Sequence, residues 1–66
     1  MITRSDFGRY AGQVDDFGGE LTLAVGLYEI HPCPGGDWAV VSPTGDVLVK
    51  FANIDDAVDN AKARQS

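Results

Sequence analysis

Two apolar runs separated by polar, proline and glycine punctuation stand out between residues 37 and 52. Trp38, Ala39, Val40 and Val41 stand before Ser42-Pro43-Thr44-Gly45-Asp46, and Val47, Leu48, Val49, Lys50 and Phe51 follow it. β-Branched and aromatic residues on both sides of a punctuated stretch predict two antiparallel strands, 37–42 and 46–52. Pro43 presets φ for the first turn position and Gly45 accepts a positive φ, so a three-residue hairpin loop with a glycine bulge is expected. If Ser42 opposes Asp46, the pleat places Ala39, Val41, Val47, Val49 and Phe51 on one face and Trp38, Val40 and Leu48 on the other.

Upstream, residues 20–31 alternate from Leu21 through Leu23 and Val25 to Leu27, which predicts one strand. Tyr28 and Ile30 fall on its opposite side unless Gly26 marks a bulge. His31-Pro32-Cys33-Pro34-Gly35-Gly36 is a connecting loop, because prolines remove donors and glycines remove restraint. Phe7, Tyr10, Ala11, Val14 and Phe17 recur at helical spacing and predict a helix over 4–17, despite Gly8 and Gly12. Thr3 and Asp6 approximate a capping box, Ile2 is placed to staple onto Phe7, and Gly18 with Gly19 supplies a stop. Asn53 as cap, Asp55 and Asp56 in a first turn, a stripe of Ile54, Ala57, Val58 and Ala61, and a cationic end at Lys62 and Arg64 predict a helix over 54–64. The chain 1–66 is therefore expected to be a single α+β domain: helix, three-stranded antiparallel meander, helix (α-β-β-β-α).

Sixty-six residues allow one small core, and a partner or second copy would add to marginal stability. Cys33 is the only cysteine, which excludes an intrachain disulfide and points to a reducing, cytoplasmic setting. No signal-peptide pattern and no membrane-length apolar run is expected from the sequence. Ten carboxylates against five Lys and Arg give a formal charge of -5. That balance disfavours direct binding of DNA or RNA and favours a larger protein with a basic surface.

From Trp38 to Ala61 the chain resembles short bacterial domains in which a W-x-V strand, a tight turn and a strand ending in Phe lead into an A-x-x-x-A helix. Trp38, Val40, Phe51, Ala57 and Ala61 carry the likeness, which implies a fold and no activity. The element order is also similar to double-stranded RNA-binding domains, whose last helix grips phosphates with basic residues at its start. Asp55 and Asp56 stand there instead, which excludes that function. In size and charge the chain resembles the small acidic inhibitors of phages and mobile elements, including anti-CRISPR proteins and DNA mimics. That resemblance implies an inhibitor or modulator that blocks a nucleic-acid-handling complex.

Reactive chemistry finds little footing. His31, Cys33 and Asp37 share a loop, but a structural zinc site wants four ligands and commonly paired thiolates or imidazoles. Cys33 with His31 as base lacks a third residue to orient the imidazole. Asp-Phe-Gly occurs at 6–8 and 16–18 without the rest of a kinase, and Asp15 with Asp16 fails the calcium-loop pattern. No metal, no cofactor and no enzymatic activity is expected.

Two surfaces remain as partner-binding candidates. Asp15 and Asp16 would end a helix, where negative charge opposes the dipole, with Glu20 just beyond. Tyr28 and Trp38, with Ile30, Val40 and Leu48, would form an apolar patch on an open sheet face, and Trp and Tyr are favoured anchors. Asp15, Asp16, Glu20, Tyr28 and Trp38 are thus the expected contact residues. A homodimer through the open face is the alternative to a foreign partner.

Overall fold

The computed structural model describes residues 3–18 and 20–65. It is an α+β domain, but its meander has five strands where three are predicted. A 3-10 segment, Arg4–Gln13, is followed by β1 (Val14–Phe17), β2 (Glu20–Val25), β3 (Tyr28–Pro32), β4 (Trp38–Val41), β5 (Val47–Phe51) and α1 (Ile54–Ala63). The sheet is antiparallel throughout, in the order β1-β2-β3-β4-β5.

The predicted helix over 4–17 therefore requires correction. It begins as expected, with the Asp6 carboxylate accepting from the Thr3 backbone N–H at 2.8 Å and the Asp6 N–H donating to the Thr3 carbonyl at 3.0 Å. Gly8 then takes φ 59°, ψ -129°, which no helix continues through, and the segment turns in tight 3-10 fashion to Gln13. Val14–Phe17 leave it as an edge strand paired with β2. The helical spacing of Phe7, Tyr10 and Val14 is real; it aims these residues at one core without a continuous helix. The proposed staple from Ile2 and the stop at Gly19 lie outside the described residues.

The single strand predicted over 20–31 is a hairpin. Val25 opposes Tyr28, and Gly26 and Leu27 form the two-residue loop between them. Gly26 has φ +62° while no described non-glycine residue has a positive φ, the arrangement of a II′ turn with glycine first. The chain reverses there, so Tyr28 and Ile30 return to the face of Leu21, Leu23 and Val25 instead of opposing it.

The Ser42–Asp46 turn forms as predicted. The Ser42 N–H donates to the Asp46 carbonyl at 2.8 Å, the Gly45 N–H to the Ser42 carbonyl at 2.9 Å, and Gly45 has φ +94°. Val41 pairs with Val47 as the turn dictates, but Val40 pairs with Val49, so Leu48 is an extra residue on β5. This bulge changes the assignment of faces. Val49 and Phe51 join Trp38 and Val40, while Leu48 joins Val47 on the opposite side.

One transverse row now crosses the sheet: Val14 beside Leu23, Leu23 beside Ile30, Ile30 beside Val40, and Val40 beside Val49. Phe7 from the 3-10 segment and Ala57, Val58 and Ala61 from α1 pack on the same face and complete the core. α1 starts after an extended Asn53, whose side chain makes no capping bond, with Asp55 and Asp56 in its first turn as expected. Its small residues Ala57 and Ala61, both fully buried, let the helix lie close to the central strands. Both helical segments cover one face, and no described element covers the other.

Candidate functional site

The residues expected to form one contact surface are divided by the sheet. Trp38 is 9% exposed and belongs to the core, its ring edge against Phe7 at a centroid distance of 5.0 Å. Tyr28 is half-buried and packs against the same cluster. The open patch of Tyr28, Ile30, Trp38, Val40 and Leu48 is thus corrected: four of its members lie under the helices, and Leu48 alone, 41% exposed, lies on the open side. The hairpin at Gly26 and the bulge at Leu48 are the physical reasons, since each shifts the pleat by one residue relative to simple alternation.

Asp15, Asp16 and Glu20 are exposed, but on a hairpin, not a helix end. The unfavourable helix dipole inferred for them is absent, because β1 contains no helical carbonyls. Asp15 opposes Thr22 and Glu20 opposes Phe17, which puts Asp15 and Glu20 on the open face; Asp16 opposes Leu21 and points to the covered side. No lysine or arginine occurs between Val14 and Val25 in the sequence. Arg4 reaches this region, but its Nη1 donates to the Val14 carbonyl at 2.6 Å. Arg9 is engaged elsewhere, 2.9 Å from Asp55, with the Tyr10 hydroxyl donating to the same carboxylate oxygen at 3.0 Å. The hydrogen bond to Tyr10 first, and then the charge of Asp55, raise the Arg9 pKa above its ordinary value.

The open face has a pattern that alternation from the sequence missed. One row runs through Ala24, Glu29, Val41 and Val47; another pairs His31 with Ala39 and Ala39 with Lys50. Asp15, Glu20 and Glu29 mark its β1–β3 half, and Val41, Val47, Leu48 and Lys50 its β4–β5 half. Thr22, Ala39 and Val41 are buried even though no described element lies over them. They are short side chains on β2 and β4, with Glu29 and His31 of β3 between them. Val47 is 56% exposed, so apolar surface meets solvent on β5.

β3 supplies Glu29 and His31 on this face, two residues apart, and Cys33 follows just beyond the strand's end. The structure provides the orienting residue that the sequence did not reveal: His31 Nε2 lies 2.8 Å from Glu29 Oε1. The Cys33 thiol is directed to the His31 carbonyl at 3.9 Å, a weak bond back to its own strand. No group of three or more His, Cys, Asp or Glu among the described residues is arranged to hold a metal ion. No helix among them is long and apolar enough to cross a membrane.

No protein-family model, curated protein or solved structure matches the chain.

Proposed function

We propose that this protein is a non-enzymatic protein-binding module: a small acidic inhibitor or modulator, anti-CRISPR-like in strategy, that docks on a basic surface of a larger nucleic-acid-handling protein. The reading rests on one observation. Asp15 and Glu20 stand exposed on one face of a hairpin whose strands contain no lysine or arginine, and Asp16 is exposed on its other side. Carboxylates held on paired strands present their charge with less conformational freedom than a flexible tail, which lowers the ordering cost of association. A basic groove evolved to hold phosphates offers the complementary potential.

Trp38 is not assigned to this surface, because its ring is occupied by the core. Tyr28 is left out likewise, since it packs against the same core on the covered face. The test is capture of partners by the tagged chain from its native cells, alongside an Asp15→Ala, Asp16→Ala, Glu20→Ala variant. A partner held at low salt and lost at high salt is expected, since the screening length falls from about 10 Å at 0.1 M to about 3 Å at 1 M. A partner retained equally by the charge variant and at both salt concentrations would sink the proposal.

A further inference from the structure

We propose that residues 3–13 form a strap that lifts off the body as one unit while the sheet and α1 stay folded, its release set by an ionic clasp at Asp55. This goes beyond the docking reading and does not depend on it, because it concerns motion within the chain.

Little apolar contact holds the strap. Phe7 is its only buried residue, Tyr10 and Ala11 are half-buried, and the others are exposed. The 3-10 bond pattern adds weak support, since its hydrogen bonds are poorly aligned and runs beyond three or four residues are uncommon. Here the run is 10 residues long, and Gly8 interrupts it with φ 59°, ψ -129°. The body is closed differently: Leu23, Ile30, Val40 and Val58 are each at most 1% exposed, on neighbouring strands and the helix that covers them. A segment with one buried anchor and solvent-exposed hydrogen bonds opens at lower free energy than such a core.

The rest of the hold on α1 is polar and converges on one atom. Arg9 Nη2 lies 2.9 Å from Asp55 Oδ1, the Tyr10 hydroxyl donates to the same oxygen at 3.0 Å, and Arg9 donates to that hydroxyl at 3.0 Å. The guanidinium stands 5.2 Å from the Tyr10 ring centroid, so the three side chains close on one another. This clasp is open to water, with the Arg9 and Asp55 side chains 72% and 58% exposed, and salt screens a pair so placed. At the other end Arg4 Nη1 donates to the Val14 carbonyl, where the strap enters β1. Val14 is 5% exposed and paired with Leu23, so it belongs to the body. Phe7 is the pin, Val14 the hinge and Asp55 the catch.

Hydrogen exchange of backbone amides in the full chain tests this. The Val14 N–H, bonded to the Ala11 carbonyl, and the protected amides of residues 6–13 report the strap. The amides of Ile30, Val40 and Val58 report the body. Strap amides are expected to exchange at least about tenfold faster than body amides and with a smaller urea dependence, because opening exposes less surface than unfolding. An Arg9→Gln, Tyr10→Phe variant should raise strap exchange by about tenfold and leave body exchange within about twofold. Raising salt from about 0.01 M to about 1 M should speed the parent's strap by about threefold and leave the variant's unchanged, since the screening length falls from about 30 Å to about 3 Å. Strap and body amides with equal rates and equal urea dependence would overturn the strap, as would residues 6–13 with no protection at all. Equal acceleration of both sets in the variant, or a parent strap indifferent to salt, would overturn its control by the clasp.

Discussion

The ring of Phe7 meets Trp38 edge to face, 5.0 Å between centroids and 65° between planes. This contact joins the 3-10 segment to the strand at the start of the last hairpin, across a core in which both residues are nearly or wholly removed from water. Phe7→Ala is expected to cost about 3–5 kcal/mol, from lost transfer energy and an unfilled cavity. Small domains have roughly 5–15 kcal/mol to lose, so the variant should unfold at a much lower urea concentration. Trp38 fluorescence during urea titration reads the change directly; an unchanged midpoint would mean that Phe7 does not hold the segment down.

Gln65 closes the opposite end of the molecule over Gly26. Its Oε1 accepts from the Leu27 N–H at 3.1 Å, and its Nε2 donates to the Val25 carbonyl at 2.6 Å and the Ala61 carbonyl at 3.0 Å. A Cβ at Gly26 would fall on the Gln65 amide, and the positive φ would be strained besides. Gly26→Ala should therefore displace Gln65 and lose its bonds as well as cost about 1 kcal/mol of backbone strain. Adding Gln65→Ala should cost little more. Urea midpoints of the two single variants and the double variant check this non-additivity; simple addition would show that Gln65 does not sit on the turn in solution.

What was legible in the chain follows from where local signals act alone. The Ser42–Asp46 turn and α1 were readable because Pro43, Gly45, Asp55, Asp56 and the Ala57–Ala61 spacing each favour one conformation. Leu27 hid the II′ turn at Gly26, since a bulky apolar residue extends the alternation of Leu21, Leu23 and Val25 through a reversal. Gly8 hid the break in the first segment, because its positive φ leaves Phe7 and Tyr10 at helical spacing. The acidic hairpin was visible as composition, but its division between two faces depended on strand register. Glu29 and His31 stand two apart in the strand predicted over 20–31 and so share a face there, but the pair escapes notice when His31 is grouped with the loop residues Cys33 and Asp37.

Leu48 and Val49 provide a direct test of register. The bulge turns Leu48 to the open face and sets Val49 opposite Val40; an unbulged hairpin would reverse them. Leu48→Asp should change stability by about 0.5 kcal/mol or less, as surface substitutions commonly do. Val49→Asp places a carboxylate among Val40 and its neighbours and should cost about 2 kcal/mol or more. Chemical denaturation of the two variants distinguishes the arrangements, and the opposite ranking would overturn the bulge.

Trp38 and the acidic hairpin separate stability from recognition, and the separation is measurable. Trp38 is held by the core, so Trp38→Phe removes buried indole area and should lower the urea midpoint while leaving partner affinity of the folded protein within about twofold. Asp15→Asn with Glu20→Gln changes two exposed charges and little volume. Its midpoint should stay near that of the parent, because isolated surface charges contribute little to folding. Its affinity for a basic partner should fall by about tenfold at low salt and converge with the parent at high salt, where screening has already removed the attraction. Binding by calorimetry at two salt concentrations, with folding followed in parallel, assigns each residue its role. If Trp38→Phe instead abolished binding at full fold stability, the tryptophan would be an anchor after all, and the covered face would be the one that opens to the partner.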